Sequence, residues 1–334
     1  MQERDVWRDV CDMPGYLEHT LARSEGIDAV DALLAAESVG RIVATGNGAS
    51  YYAAQALWLA ALSGMRQPKE VIAVPAGLLA GEAFHLRDDD LLLAISSSGE
   101  LRDIIEVIEG TSPPAGLASI TATPDSTIAR ASDAVAMVVN PAQRAVTHTQ
   151  AFCGAVAVCL AIWARLSDDG VLRRVVDEVP AACRHAVSVA MEWSDSLAEV
   201  EIPTAMITYG TGPAWTAALE SALLIKEIAR IPCEGVETRE GATAAMTGLV
   251  PGHLVLSLPT GASDPFVDEA DRVCARRGAT VLRAPGGSDN DRRVAAITTF
   301  PAAIALSVEL ALRAGHDPDQ PSWVDSYRAT ARLA

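Results

Sequence analysis

The sequence predicts an α/β fold of two parallel five-stranded sheets, each flanked by helices. Short aliphatic runs such as DLLLAI (90–95) lack the polar alternation of a strand with one wet face, so they suit sheets covered on both sides. These runs alternate with stretches of helical periodicity. The pattern of strand, glycine turn and helix also starts twice, at residue 41 and again near residue 204. The chain has 334 residues, of which 50% are hydrophobic and only 4% aromatic, enough for two domains of ordinary size built on aliphatic packing.

Taken in order, residues 1–35 read as an N-terminal helical arm. RIVATGNGAS (41–50) is a strand running into a glycine loop, and YYAAQALWLAALSG (51–64) carries apolar residues at helical spacing. EVIAVPA (70–76) and DLLLAISSSG (90–99) supply two more strands, ELRDIIEVIEG (100–110) a helix, and GLASITATP (116–124) and DAVAMVVN (133–140) two further strands. A core helix from about Gln150 to Leu166 closes a first α/β domain spanning 36–170, and the charged segment 171–200 reads as a helical connector. A second domain, 201–315, opens with the strand, turn and long helix of 204–229 and continues with strand, turn, helix and strand over 252–285. Residues 316–334 form a tail. Gly46 and Gly210 lie 164 residues apart and Gly99 and Gly261 lie 162 apart, which favours duplication over a chance alignment of α/β units. The hydroxyls are confined to the first copy: Ser50 and Ser96–Ser98 become Ala214 and Leu258-Pro259-Thr260 in the second.

A formal net charge of −17 argues against a nucleic-acid partner, which needs a concentrated basic face. An anionic small molecule would have to be held locally, by oriented amides and hydroxyls. The six cysteines (11, 153, 159, 183, 233, 274) show no C-x-x-C and no zinc-ligand spacing, so they are expected to be buried thiols in a reducing compartment. The charged N-terminus carries no secretory leader pattern. The longest apolar run, Ala151–Ala164, is too short to span a bilayer. No membrane and no metal or other cofactor are expected, and the location is expected to be cytoplasmic.

Ser96, Ser97 and Ser98 end a buried strand, Gly99 permits close backbone approach, and a helix follows. In open parallel sheets ligands bind at such strand ends, where helix N-termini present free N–H groups. One serine would suffice as a helix cap. Three in a row, with Ser50 at the equivalent end of another strand, predict a neutral phosphate pocket.

The strand end SSSGE (96–100), the turn GASYYAA (48–54), the helix ALESALLIKEI (218–228) and the tail DPDQP (317–321) together resemble the sugar isomerase (SIS) family. The arrangement is similar to the tandem SIS domains in the isomerase part of glucosamine-6-phosphate synthase and in related phosphosugar isomerases and deaminases, over residues 15 to 325. The resemblance implies a flavodoxin-like or Rossmann-like three-layer fold in each domain and a tail that covers the ligand site. It also implies phosphate contacts from Ser50, Ser96 and Ser98, with Ser97 at a usual glutamine and Leu101 at a usual threonine. Gly48, Gly99 and Thr147 complete the candidate binding set. Glu227 matches the base that moves a proton between sugar carbons, and Glu220 lies two helical turns earlier on about the same face. Glu240 matches a glutamate often found there. His148, in a loop that closes over the sugar in relatives, and His316, in the tail, are candidates for the remaining acid/base work.

The chain also departs from that pattern. Thr243 falls where the family has its ring-opening histidine, Ser326 where it has its Schiff-base lysine, and Leu224 where it has a lysine near the base. Arg239 or Arg328 could restore positive charge but cannot form an imine. The cysteine glutaminase domain of the full synthase is not matched, so glutamine-driven amination by this chain alone is not expected. Each candidate also has a plainer role: Glu227 as an exposed partner of Arg230, His148 and His316 as structural or solvated side chains, Glu237 and Glu240 as a solvated acidic loop.

Two functions stay open on these residues. One is a sugar-phosphate isomerase or amino-sugar-phosphate deaminase or deglycase acting by proton transfer at C1/C2. The other is a non-catalytic phosphosugar sensor or regulatory subunit. The ligand in both is a phosphorylated sugar or amino sugar. The positive mean hydropathy predicts a homodimer formed through the long helices.

Overall fold

The computed structural model describes every residue except 65, 82, 111–112, 140–142, 262, 287–290 and 332–334. Asn140, at the end of the fifth expected strand, and the last three residues of the expected tail lie outside the described residues. The chain divides into two compact units. One comprises Gly15–Ala142, Gln150–Asp177 and Trp323–Ala334; the other comprises Met1–Pro14, Gln143–Thr149 and Glu178–Ser322.

Two helices, α1 (Asp5–Leu21) and α2 (Ser24–Ala35), precede the first strand. The first unit is then built from β1 (Arg41–Gly46), α3 (Ala49–Ser63), β2 (Glu70–Pro75), α4 (Ala76–Ala80), β3 (Asp90–Ile95), α5 (Arg102–Gly110), β4 (Leu117–Thr121), α6 (Thr127–Ala131), β5 (Ala134–Met137) and α7 (Thr149–Leu166), whose first residue belongs to the other unit. Its sheet is parallel throughout, in the order β2-β1-β3-β4-β5. The central strands β1, β3 and β4 are buried along their whole length, as their unbroken aliphatic runs require, whereas β2 at the edge is partly exposed. In the core on one face, Val43, Leu92 and Ala94 of the sheet pack with Ile104, Ile105 and Val107 of α5. Each such large aliphatic side chain contributes about 1.5–3 kcal/mol on burial.

The amino ends of β1 and β3 are joined by a buried ion pair. Arg41 donates from Nε and Nη2 to the two carboxylate oxygens of Asp90 at 2.7 and 2.5 Å, and Arg87 N–H adds a third bond at 2.7 Å. Asp90 is fully buried and Arg41 nearly so. Burial pushes the Asp90 pKa up, but the Arg41 hydrogen bonds and the Arg87 amide outweigh it, and the net direction is downward. Removing one partner of such a pair leaves an uncompensated buried charge. Asp90→Ala is therefore expected to cost about 3–5 kcal/mol, read as a lower denaturation midpoint in urea. Because the folded-state pKa lies below the ordinary carboxylate value of about 4, the pair's contribution is present above that pH and is lost as pH falls through the folded value.

A long helix, α8 (Gly170–Ser194), runs from the first unit into the second, with a 3₁₀ turn at Asp195–Glu199. The second unit continues with β6 (Ala205–Gly210), α9 (Pro213–Leu224), a π-helical turn at Ile225–Ala229, β7 (Cys233–Glu237), α10 (Thr238–Thr243), β8 (His253–Leu258), α11 (Pro265–Arg276), β9 (Thr280–Arg283), α12 (Ala295–Thr298) and α13 (Phe300–Arg313). A last helix, α14 (Val324–Ala331), belongs to the first unit. The second sheet is also parallel, in the order β7-β6-β8-β9.

The fold class expected from the sequence holds, with three corrections. Among the described residues the second sheet has four strands and not five. The apolar stretch that could have supplied a fifth winds instead into a 3₁₀ turn (Arg292–Val294), α12 and α13, with Asp291 Oδ1 accepting Arg293 N–H at 2.9 Å to start the turn. The long helix expected over 204–229 changes to π geometry after Leu224. All six cysteines are free, but Cys11 is exposed rather than buried and Cys233 is half-buried. Two helical stretches, Thr149–Leu166 and Arg292–Arg313, are long and apolar enough to cross a membrane, and both are mostly buried within the structure.

The two sheets begin alike. Gly48 ends the turn after β1 with φ 52° and ψ −129° and starts α3; Gly212 ends the turn after β6 with φ 54° and ψ −122° and starts α9. Positive φ makes glycine the suitable residue at both.

Candidate functional site

The register of the first sheet sets Thr45 of β1 opposite Ala94 of β3, so both strands end at the same edge of the sheet. The Gly46–Ser50 turn and the Ser96–Gly99 loop therefore emerge side by side at the carboxyl ends of neighbouring strands. Asn47 Nδ2 donates to Asp103 Oδ2 at 2.7 Å, tying the first turn to the start of α5.

The serine loop is fixed by its own hydrogen bonds. Ser96 is buried, its N–H donates to Ile120 O at 3.0 Å, and its Oγ accepts Gly99 N–H at 3.1 Å. Ser98 Oγ accepts Glu100 N–H at 3.2 Å. The carbonyl of Ser97 accepts Ala122 N–H at 3.1 Å and the hydroxyls of Thr121 and Thr123 at 3.3 and 3.2 Å. A hydroxyl oxygen that accepts in this way keeps its own hydrogen to donate, so Ser96 and Ser98 can offer O–H groups to an anion at the amino end of α5. Gly99 has φ +64°, and a Cβ there would sit 2.0 Å from Ser126 Oγ, the cap of α6. Glu100 is engaged in the same corner: its Oε1 accepts Thr127 N–H at 2.8 Å. Ser50, Ser97 and Ser98 are half-buried. Leu101, where the resemblance led one to look for a hydroxyl, packs instead in the core beside Leu92 and Ile104.

The other candidate residues, apart from Ser326 and Arg328 on α14, belong to the second unit. Glu220, on α9, is fully buried, and its Oε2 meets no hydrogen-bond partner. Burial first, and then the charge of Glu227, push its pKa well above the carboxylate range. Glu227 lies in the π turn against α13 and is half-buried; burial raises its pKa to about 7, with Lys226 pulling the other way. Two carboxylates on one stretch of buried helix cannot both be charged cheaply, and of the two Glu220 is the more deeply buried. A carboxylate poised near pH 7 is suited to proton abstraction.

Glu240 is exposed on α10, and Glu237 caps that helix by accepting Arg239 and Glu240 N–H at 2.6 and 3.3 Å. Arg239 is paired with Glu269 and stacks over Phe266. Thr243 is exposed and donates to Arg239 O at 2.7 Å. His148 is half-buried, between Thr147 and Thr149, whose hydroxyls are buried without a hydrogen-bond partner. His316 is half-buried just beyond α13 and its N–H donates to Ala311 O at 2.8 Å. Ser326 and Arg328 are exposed on α14. Sequence reasoning missed Asp9, a fully buried carboxylate that accepts backbone N–H groups of Arg144 and Ala145. Its signal was its place in the apolar stripe of α1 marked by Val6, Val10, Met13 and Leu17.

Residues 36–165 match the SIS domain family. The chain is similar to the glutamine–fructose-6-phosphate aminotransferase [isomerizing] of Bradyrhizobium diazoefficiens, at 26% identity over 94% of the chain and 57% of that protein. It thus spans about half the length of the curated relatives it matches. Among solved structures it is similar to the C-terminal domain of glucosamine-fructose-6-phosphate aminotransferase from Francisella tularensis (TM-score 0.81, 20% identity, 95% of this chain and 98% of that one). It is also similar to glucosamine-6-phosphate deaminase from Thermotoga maritima (TM-score 0.78, 18% identity, 95% and 97%). At these identities the likeness to the solved structures is one of fold.

Proposed function

We propose that the protein binds a phosphorylated sugar or amino sugar through Gly48, Ser50, Ser96–Ser98, Gly99 and Thr147. In this reading it moves a proton between C1 and C2, as a sugar-phosphate isomerase or amino-sugar-phosphate deaminase. The observation that carries the reading is the loop Ser96–Gly99, where Ser96 Oγ and Ser98 Oγ accept loop N–H groups and keep their own hydrogens to donate, at a strand end just before α5. Glu227, with its pKa near 7, is the proposed base; His148, His316 and Glu240 are the proposed groups for proton transfer at the oxygens. Matching turn conformations at Gly48 and Gly212, and the same strand order at the start of both sheets, support a tandem pair of SIS units in which only the first kept the phosphate hydroxyls. A homodimer in the cytoplasm completes the proposal, with sedimentation at micromolar concentration as its check.

The exposed Thr243 and Ser326, at the usual histidine and lysine, favour a second reading, a phosphosugar sensor without turnover. The two are separated by incubating the protein in deuterium oxide with fructose 6-phosphate, glucose 6-phosphate and glucosamine 6-phosphate. Deuterium at C1 or C2, with isomer or ammonia formed, is the result expected of the enzyme. Tight binding of one of these sugars without exchange would establish the sensor, and failure of all three to bind would remove the phosphosugar reading itself.

A further inference from the structure

The first turns of α1 hold two segments that are far apart in sequence. At its start, Asp319 Oδ1 accepts Val6 N–H at 2.9 Å and so caps the helix across 313 residues, while Arg4 reaches Asp317 at 3.5 Å and Asp319 at 4.0 Å. One turn further, Asp9 accepts Arg144 N–H at 3.0 Å, Ala145 N–H at 2.9 Å and the Arg144 guanidinium at 3.1 Å; Asp12 takes the same guanidinium at 2.7 Å. The loop gripped by Asp9 continues to Thr147 and His148, braced by Gln143 Nε2 donating to the carbonyls of Ala145 and Thr147 at 2.7 and 3.4 Å. Thr147 is buried, yet its hydroxyl has no hydrogen-bond partner. A buried hydroxyl without a partner in its own chain is open to one from outside it, water or ligand. The segment gripped by Asp319 begins at His316. Thus one helix fixes both stretches that carry candidate ligand-facing groups.

We propose that Asp9 and Asp319 are positioning residues: through α1 they set the 143–149 loop and the 316–319 segment in one frame, and so determine how tightly the phosphosugar is held. The role in binding rests on the function proposed above; the mechanical coupling does not. A buried carboxylate bonded to three N–H groups cannot release its loop by small steps, and an acid capping a helix from a distant segment docks that segment only while the helix end is formed.

The test uses Asp9→Asn and Asp319→Asn, with hydrogen–deuterium exchange followed at residues 143–149 and 315–321. Asp319 is partly exposed, so its variant is expected to fold like wild type even if Asp9→Asn is impaired. Each variant is expected to speed exchange at its own segment by about ten- to a hundredfold, the equivalent of one charge-assisted hydrogen bond. The decisive arm is crossed: Asp319→Asn should also speed exchange at 143–149. No change there, in a protein with wild-type circular dichroism, overturns the coupling. With the sugar phosphate that wild type turns over, both variants should raise KM about tenfold or more and leave kcat within about threefold; an equal loss in kcat would overturn the positioning role. If wild type binds no sugar phosphate, the functional reading fails while the exchange arm still decides the coupling.

Discussion

Glu227→Gln is expected to lower turnover by about 10²–10⁴-fold with little change in sugar-phosphate affinity, because the amide keeps the shape of the side chain and removes the base. The pH profile supplies an independent check. A base whose pKa burial raises to about 7 is protonated below that pH, so wild-type activity should fall on the acid side with a midpoint near 7. Residual activity of the variant should lose that limb. Deuterium uptake from solvent at C1 or C2 should vanish with it. A wild-type rate that is flat from pH 5.5 to 8 would mean that Glu227 does not carry the proton.

The second large effect belongs to the serine loop. Each hydroxyl that bonds a charged phosphate is worth about 1.5–3 kcal/mol, so Ser96→Ala with Ser98→Ala should weaken phosphosugar binding by about 10²–10⁴-fold if the two losses add. Ser96 Oγ also receives Gly99 N–H and Ser98 Oγ receives Glu100 N–H, so the double variant loses loop order along with phosphate contacts. Isothermal titration with the preferred sugar phosphate, set beside inorganic phosphate, reads both. Unchanged affinity would put the anion elsewhere.

How far the sequence could be read depended on whether a feature is local. The strand ending in Ser96–Gly99 was legible because DLLLAI is too short for an ordinary helix and runs straight into a serine–glycine turn, and all six positions are buried. The parallel sheets followed from strands alternating with helices. Glu227 was singled out only through the family resemblance, since nothing in IKEIA itself separates it from a solvated helix glutamate. The two-turn spacing from Glu220 assumed a regular α-helix, and the π turn at Ile225–Ala229 breaks that assumption without any proline or glycine to announce it. The stretch that became α12 and α13 drew no element assignment from the sequence, although at 22 residues its apolar run is long for a strand. The contacts of Asp9 and Asp319 were beyond reach for a different reason. Their partners lie 135 and 313 residues away, and only the folded chain brings them together.

The Arg41–Asp90 pair has a consequence for how this fold could change its ligand. Asp90 opens β3 and Ser96 follows its end, six residues and about 20 Å further on. This buried ion pair is thus sited at the opposite tip of the strand from the serines proposed to hold a phosphate. Substitutions at 96–98 can be sampled against a scaffold anchored elsewhere, and distant sites combine almost independently. A library randomised at Ser96, Ser97 and Ser98 with Arg41 and Asp90 left untouched should yield mostly folded proteins, so that differences among its members report preference for one anion over another rather than loss of the protein. In this arrangement the strand carries stability at one end and evolvability at the other.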